Sequence, residues 1–357
     1  MSDLAARRDF RATISAVLLI AAGISRGAFA GERHILAEAI APETITISGT
    51  ELYLVDKSRI LVFSLKDHRL LRIIGGPGDG PGELKPAGFW YHTATVLRDD
   101  VFVDGFDKII RFSKDGRFLD ERKKPLGLGR TIPVGGNFAG VDMDFREQDV
   151  QYQRLLLLDA NGKILRELAR QRSPVQSVSR ETDMIPDVLT FATWQGRIYV
   201  ERSPQGFLFD VFDSGGAFLY RIEKNIERIA LTKDLEKAAV DALEADPFVR
   251  RIGFEEFQRL SRLIRPKTLP AIRDFAVADG KIYARTFRTR DGREEWRVLG
   301  LDGRMLFTTR LPRMRGTPFM ASLYGHAYFA VDEGKLYCLE YDESSEGWAL
   351  VIEEIRP

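Results

Sequence analysis

The chain is poor in the residues that most enzyme chemistry needs. It has one cysteine, Cys338, and four histidines in 357 residues. A single thiol excludes an intrachain disulfide framework. Cys338 stands inside the apolar stretch Leu336-Tyr337-Cys338-Leu339, so a buried thiol is expected and not a nucleophile. An excess of one charge is missing too, with 53 Lys and Arg against 52 Asp and Glu. Without a basic surplus to neutralise phosphates, the composition argues against a nucleic-acid partner. Long apolar runs are also lacking. The N-terminal run from Ile14 to Ile24 has eleven residues, well short of the roughly 20 that span a hydrocarbon layer as a helix.

That short run is framed by Arg7, Arg8 and Arg11 before it and Ala28-Phe29-Ala30 after it. These are the three parts of a signal peptide, expected over residues 1–30 with cleavage after Ala30. Arg7-Arg8-Asp9-Phe10 resembles the twin-arginine signature, and both Sec and twin-arginine export stay open. No cysteine follows the leader to carry a lipid. The expectation is a bacterial protein, periplasmic or secreted, with no stable membrane anchor after cleavage. The mature chain, residues 31–357, would carry 49 basic and 50 acidic groups.

What is present is a repeat. Pro42, Pro86, Pro133, Pro186, Pro270 and Pro318 each stand near an extended stretch, at spacings of 44, 47, 53, 84 and 48. The long interval contains a helical segment at about 232–265, and removing those 34 residues brings it to 50. A period of this size signals a β-propeller or related array. Within the units, short alternating β-branched and aromatic runs are bounded by Gly, Asp and Asn, the pattern of half-buried antiparallel strands. Unit one reads as four strands at Thr44–Ser48, Leu52–Val55, Ile60–Phe63 and Leu70–Ile74. Unit three is clear only in its second half, from Leu155 to Leu168 through Asn161-Gly162. Such sheets are apolar on both faces and must stack on copies of themselves. The fold expected is all-β, a six-bladed β-propeller with a helical insertion between blades 4 and 5. Residues 33–40 are candidates for a strand that latches the last blade.

In the insertion, Leu235, Ala238, Ala239 and Ala242 share one face after a Thr232 cap. Phe254, Phe257, Leu260 and Ile264 do so again before Pro266 stops a second helix. This helix pair is either a packed decoration of one propeller face or a lid and docking element beside the channel.

The stretches IIGGPGDGPGEL, Ile73 to Leu84, and LPAIRDFAVADGKIYAR, Leu269 to Arg285, resemble segments of the bacterial six-bladed β-propeller family related to NHL-repeat proteins. The resemblance implies a fold and an exported location more than a reaction. Enzymes on similar propellers, gluconolactonase-like hydrolases and amidating lyases, hold a metal in the central channel. That sets the competing expectation, a metal-dependent lyase or lactone hydrolase.

The residues supply little for it. His34 and His68 are peripheral, His92 follows Trp90-Tyr91 near an inner strand, and His326 sits at a corner, so a three-histidine centre is not expected. Asp142, Asp144, Asp187 and Asp274 leave a calcium site open, although aspartates at strand ends are commonly turn caps. The Gly75–Gly82 loop lacks the strand-to-helix context of a phosphate loop and reads as a connection with Glu83 as a hydrogen-bond acceptor. Ser, His and Asp form no recognisable hydrolase arrangement, so no catalytic residue is assigned. Residues just beyond the prolines should line the channel, which places Trp90, His92, Asp187, Arg273 and Asp274 at one opening as candidate ligand-binding residues. The functional expectation is a non-enzymatic binding or interaction module for a protein, peptide or glycan.

Overall fold

Alternation along single strands explains why no blade stands alone. In β3 (Glu51–Asp56), Leu52 and Leu54 enter one apolar cluster while Tyr53 and Val55 enter another on the opposite face. Both faces are buried, so the sheet needs a neighbour on each side. The structure, a computed structural model, describes residues 31–85, 91–125, 127–147, 150–314 and 329–357. The leader, Pro86, Trp90, Pro318, Phe319 and His326 lie outside the described residues.

Six four-stranded antiparallel sheets account for the ring. Blade one runs β2 (Pro42–Ser48), β3, β4 (Arg59–Ser64), β5 (Leu70–Ile74), and blade two β6 (Thr93–Leu97), β7 (Asp100–Asp104), β8 (Lys108–Ser113), β9 (Phe118–Lys123). Blade three is β10 (Leu128–Val134), β11 (Asn137–Asp144), β12 (Tyr152–Leu158), β13 (Ile164–Arg172), complete although only its second half was legible. After β14 (Val175–Gln176) and β15 (Glu181–Asp183), blade four is β16 (Phe191–Trp194), β17 (Arg197–Glu201), β18 (Phe207–Asp213), β19 (Phe218–Lys224). Beyond β20 (Arg262–Ile264), blade five is β21 (Asp274–Ala278), β22 (Lys281–Arg290), β23 (Arg293–Gly300), β24 (Met305–Pro312). Blade six is β25 (Phe329–Asp332), β26 (Lys335–Asp342), β27 (Gly347–Glu354), completed by β1 (Glu32–Leu36) from the other end of the chain.

Closure is visible at two levels. The first strands of the blades neighbour one another in order, and β25 lies beside β2. Between the blades lie six apolar clusters, each shared by two adjacent sheets, and the cluster joining blades six and one contains Leu36 of β1. Pairing of β1 with β27, from Glu32 opposite Ile352 to Leu36 opposite Trp348, closes the torus at the main-chain level. Seam packing also selects residues at the turn before each outer strand. At Gly303 (φ +81°) a Cβ would fall 2.9 Å from Ile222 Cγ2 on the preceding blade, so only glycine fits both the backbone and the space. Gly116 stands likewise against Ile74.

The prolines do not all mark strand starts. Pro42 opens β2, and Pro133 lies inside β10 opposite Phe138. An inner strand has no sheet partner on its channel side, so a residue without an N–H is tolerated there.

The insertion departs from expectation in its parts. It holds three helices, α1 (Lys233–Ala245), α2 (Pro247–Ile252) and α3 (Phe254–Leu260), and Ile264 belongs to β20. The break arises because Asp246 caps a new helix, its Oδ1 accepting the Phe248 N–H at 2.8 Å, with proline next in sequence. The packed side of α1 runs through Leu243, while Ala242 is exposed. A two-stranded stem carries these helices, with Ala230 bridged to Thr268. Parallel pairing of β20 with β15 ties the insertion to the connection before blade four. No helix among the described residues is long and apolar enough to cross a membrane.

Candidate functional site

In an up-and-down blade, the first strand begins at the same edge where the second ends and where the preceding blade's last strand leaves. The connecting residues 75–85 and 91–92, 173–190 and 225–273 therefore all emerge on one face of the ring, around the channel mouth. His92, Asp187, Arg273 and Asp274 belong to this mouth: His92 precedes β6, Asp187 lies in the connection before β16, Arg273 precedes β21 and Asp274 begins it. Trp90 lies outside the described residues.

Acids recur at the mouth in a way the individual residues do not reveal. The last residue of the second strand is Asp56, Asp104, Asp144 and Glu201 in blades one to four, each at most 3% exposed. Three are neutralised inside the protein. Asp56 pairs with Arg59 at 2.8 Å, Asp104 with Lys124 at 2.7 Å and Asp144 with Arg146 at 2.7 Å. Asp56 and Asp104 also stitch the chain together, accepting the N–H groups of Ala41 and Thr131 at 2.6 and 3.0 Å.

Glu201 is the exception. Among the described residues it has no ion-pair partner, and Thr190 Oγ1 donates to its Oε2 at 2.5 Å. Burial, with Asp187 and Asp274 nearby, holds its carboxyl well above the usual range, against the Thr190 hydrogen bond. Asp187 is pushed up to about 7, first by burial and against the pull of Arg228 and a Ser203 hydrogen bond. Its carbonyl accepts Gln171 Nε2 at 2.6 Å, fixing the backbone.

In blade five the residue opposite the first residue of the inner strand is a base, Arg285 opposite Asp274, where blade two has the acid Asp104 opposite Thr93. Arg285, 2% exposed, donates from Nε to Glu294 at 2.7 Å and from Nη1 to Asp274 Oδ2 at 3.0 Å. Asp274 Oδ1 is buried without a partner, and burial raises that carboxyl against Arg285 and Arg273. Arg273 Nη1 donates to Glu294 at 2.8 Å, its guanidinium sits 5.4 Å from the Phe287 ring centroid, and burial lowers its pKa to about 10. Arg130, which sequence reasoning missed, bridges blades three and four by donating to the Phe191 carbonyl at 3.1 Å and lying over its ring.

His92 is enclosed, 2% exposed, and neither ring nitrogen is hydrogen-bonded. Its Nδ1 lies 3.4 Å from Glu43 Oε2, an oxygen that already accepts the His92 backbone N–H at 2.8 Å. The remaining sequence readings fall into place as packing. Glu83 accepts the Gly80 N–H at 2.8 Å, Trp296 and Tyr283 are core, and burial pushes the Cys338 thiol up, away from reactivity.

Chemically, the mouth offers one carboxyl, that of Asp187, held near neutrality beside fixed guanidinium groups. Among the described residues no three His, Cys, Asp or Glu side chains are arranged to hold an ion. Of the four aspartates considered for calcium, Asp142, Asp144 and Asp274 are already paired with arginines.

No protein-family model matches the chain, and no curated protein is similar to it in sequence. Among solved structures, BamB from Moraxella catarrhalis is similar over 88% of this chain and 73% of that one, at 10% identity and a TM-score of 0.34. Kluyveromyces lactis Hsv2 is similar over 88% and 87%, at 10% identity and a TM-score of 0.37. At these scores neither likeness assigns a family, and the propeller fold stands on the six sheets and the closure of the ring.

Proposed function

We propose that the chain is an exported bacterial binding module, akin to NHL-repeat propellers, that engages a protein, peptide or glycan on the mouth face of the ring. One observation carries this reading. The long connections and the stalked insertion all emerge where Asp187, Glu201, Arg273 and Asp274 gather, while the opposite face is built from tight turns. Loops on a rigid scaffold are where recognition residues are usually found. The test is site-specific photocrosslinking in the producing cell from Arg251 on the insertion and from Lys114 on the opposite face. A discrete adduct from Arg251 alone is expected. Adducts from Lys114 alone, or from neither position, would remove the reading.

A second reading, a lyase or lactone hydrolase in the channel, is supported by the paired high carboxyls of Asp187 and Glu201. Turnover of simple lactones that disappears in Asp187→Asn, or a stoichiometric calcium or zinc retained through desalting, would place it first.

A further inference from the structure

We propose that His34 and His68 form a pH-sensitive clasp on the seam of the ring, stacking to hold β1 against blade one and separating when His68 is protonated. Their rings stack with centroids 3.4 Å apart and planes 12° from parallel. His34 belongs to β1, a strand that no hairpin joins to its blade and that pairs with β27 alone. His68 belongs to the turn between β4 and β5. The contact therefore crosses the one seam where the two ends of the chain meet.

Internal repetition shows that His68 is unusual. Asp67-His68-Arg69 occupies the place of Asp115-Gly116-Arg117 in blade two, with the same turn hydrogen bonds, Ser64 N–H to the Arg69 carbonyl and Ser113 N–H to the Arg117 carbonyl. In blades two, four and five this position is glycine, packed against the outer strand of the preceding blade at Gly116, Gly216 and Gly303. In blade one the preceding outer strand is β1. There the chain keeps the left-handed backbone, φ 58°, with a non-glycine residue whose ring reaches His34. A residue held at positive φ against its preference invites a functional explanation.

The charges around the pair are few. Glu32 Oε2 lies 3.4 Å from His34 Nε2, and Asp67 is paired with Arg69 at 2.5 Å. Along β1, Arg33 pairs with Glu340 and Asp342 on β26. Burial and His34 oppose the proton on His68, Glu32 and Asp67 favour it, and the net effect lowers the His68 pKa below its ordinary 6.5. Among the described residues His68 Nε2 is buried without a hydrogen-bond partner, so no hydrogen bond supports a charge there. A histidine lowered in the folded state contributes stability that is present above the unfolded pKa and lost as pH falls below it. Acidification from about pH 7 to 5 thus loosens β1 first, since a charge on His68 is opposed by its burial and by the stacked His34 ring.

Hydrogen exchange of the whole mature chain tests this at pH 7.5 and 5.5, corrected for intrinsic rates. Expected is a loss of protection in residues 32–36 at the lower pH, up to about tenfold, the limit that one histidine of ordinary pKa 6.5 sets at pH 5.5, with β3 and β7 unchanged. His68→Asn keeps a side chain suited to the left-handed turn and should abolish the pH effect. His34→Gln does the same from the strand side, should the first variant fold poorly. Wild-type protection that is equal at the two pH values would overturn the clasp. So would a loss that persists in both variants.

Discussion

Lys124 Nζ lies 2.7 Å from Asp104 Oδ1, and both side chains are at most 2% exposed. Asp104 joins blades two and three, its Oδ2 also accepting the Thr131 N–H at 3.0 Å, while Lys124 donates to the Gly105 carbonyl of its own blade at 3.0 Å. Burial disfavours the charge on each partner, raising the Asp104 carboxyl and lowering the Lys124 ammonium. Such a pair adds little net stability and becomes costly when broken. Lys124→Met should destabilise the ring by about 3–5 kcal/mol through the carboxylate it strands. Adding Asp104→Asn should recover part of that loss, and urea unfolding of the two variants measures both.

Asp187 gives a pH dependence of opposite sign to the histidines. Its folded-state pKa, about 7, lies above the ordinary 3.8, so the folded chain binds the extra proton between those values. Folding stability from this group is therefore fully present at low pH and declines as pH rises toward 7. In Asp187→Asn the decline attributable to this group should vanish, leaving a flatter curve of unfolding free energy between pH 4 and 7. Identical slopes for the two proteins would show that Asp187 is not held protonated.

The fold was legible because a propeller repeats, and repetition survives even where a single blade is unclear. Alternation such as Leu52-Tyr53-Leu54-Val55 marked strands buried on both faces. Asp302-Gly303 and Asn161-Gly162 marked corners. The mouth was less legible, since Asp187, Arg273 and Asp274 could be placed by counting from prolines, whereas Glu201 and Arg130 could not. A signal for Glu201 did exist in the aligned strand ends Leu54-Val55-Asp56, Phe102-Val103-Asp104, Asp142-Met143-Asp144 and Tyr199-Val200-Glu201. What no alignment of blades could give is which of these acids lacks a cation, because Arg59, Lys124 and Arg146 stand at unrelated distances along the chain. The insertion was misjudged where Asp246 ended one helix and capped the next, a boundary that apolar spacing alone does not register.

Two glycines separate backbone strain from seam packing. Gly280, at φ +68°, has nothing within 4 Å of an added Cβ, whereas at Gly303, φ +81°, the added atom would meet Ile222 Cγ2 at 2.9 Å. Alanine at Gly280 should cost only the left-handed conformation, about 1–2 kcal/mol. Alanine at Gly303 should cost a further 1–3 kcal/mol or so, because the neighbouring blade must shift to admit it. Chemical denaturation of the two variants gives the difference directly. Equal losses would mean that the seam yields at this point.

The insertion should be dispensable for the ring. None of the six apolar clusters between blades contains a residue from 232–265. Its helices pack on one another and on the connection before blade four, through β15 and β20 and through Thr182 Oγ1 and Ser261 Oγ at 2.6 Å. The stem below it is self-contained, with the Leu231 N–H donating to the Lys267 carbonyl at 3.2 Å and the Leu269 N–H to the Ile229 carbonyl at 2.8 Å. Replacing 232–265 by a short Gly-Ser link should therefore leave cooperative unfolding intact, with Tm lowered by no more than about 2 °C, the shift that about 1 kcal/mol produces in a domain of this size. The same variant should lose whatever adduct forms through the insertion, because the recognition element goes while its scaffold stays. A ring that fails to fold without these residues would show that the insertion completes the propeller and does not merely ride on it.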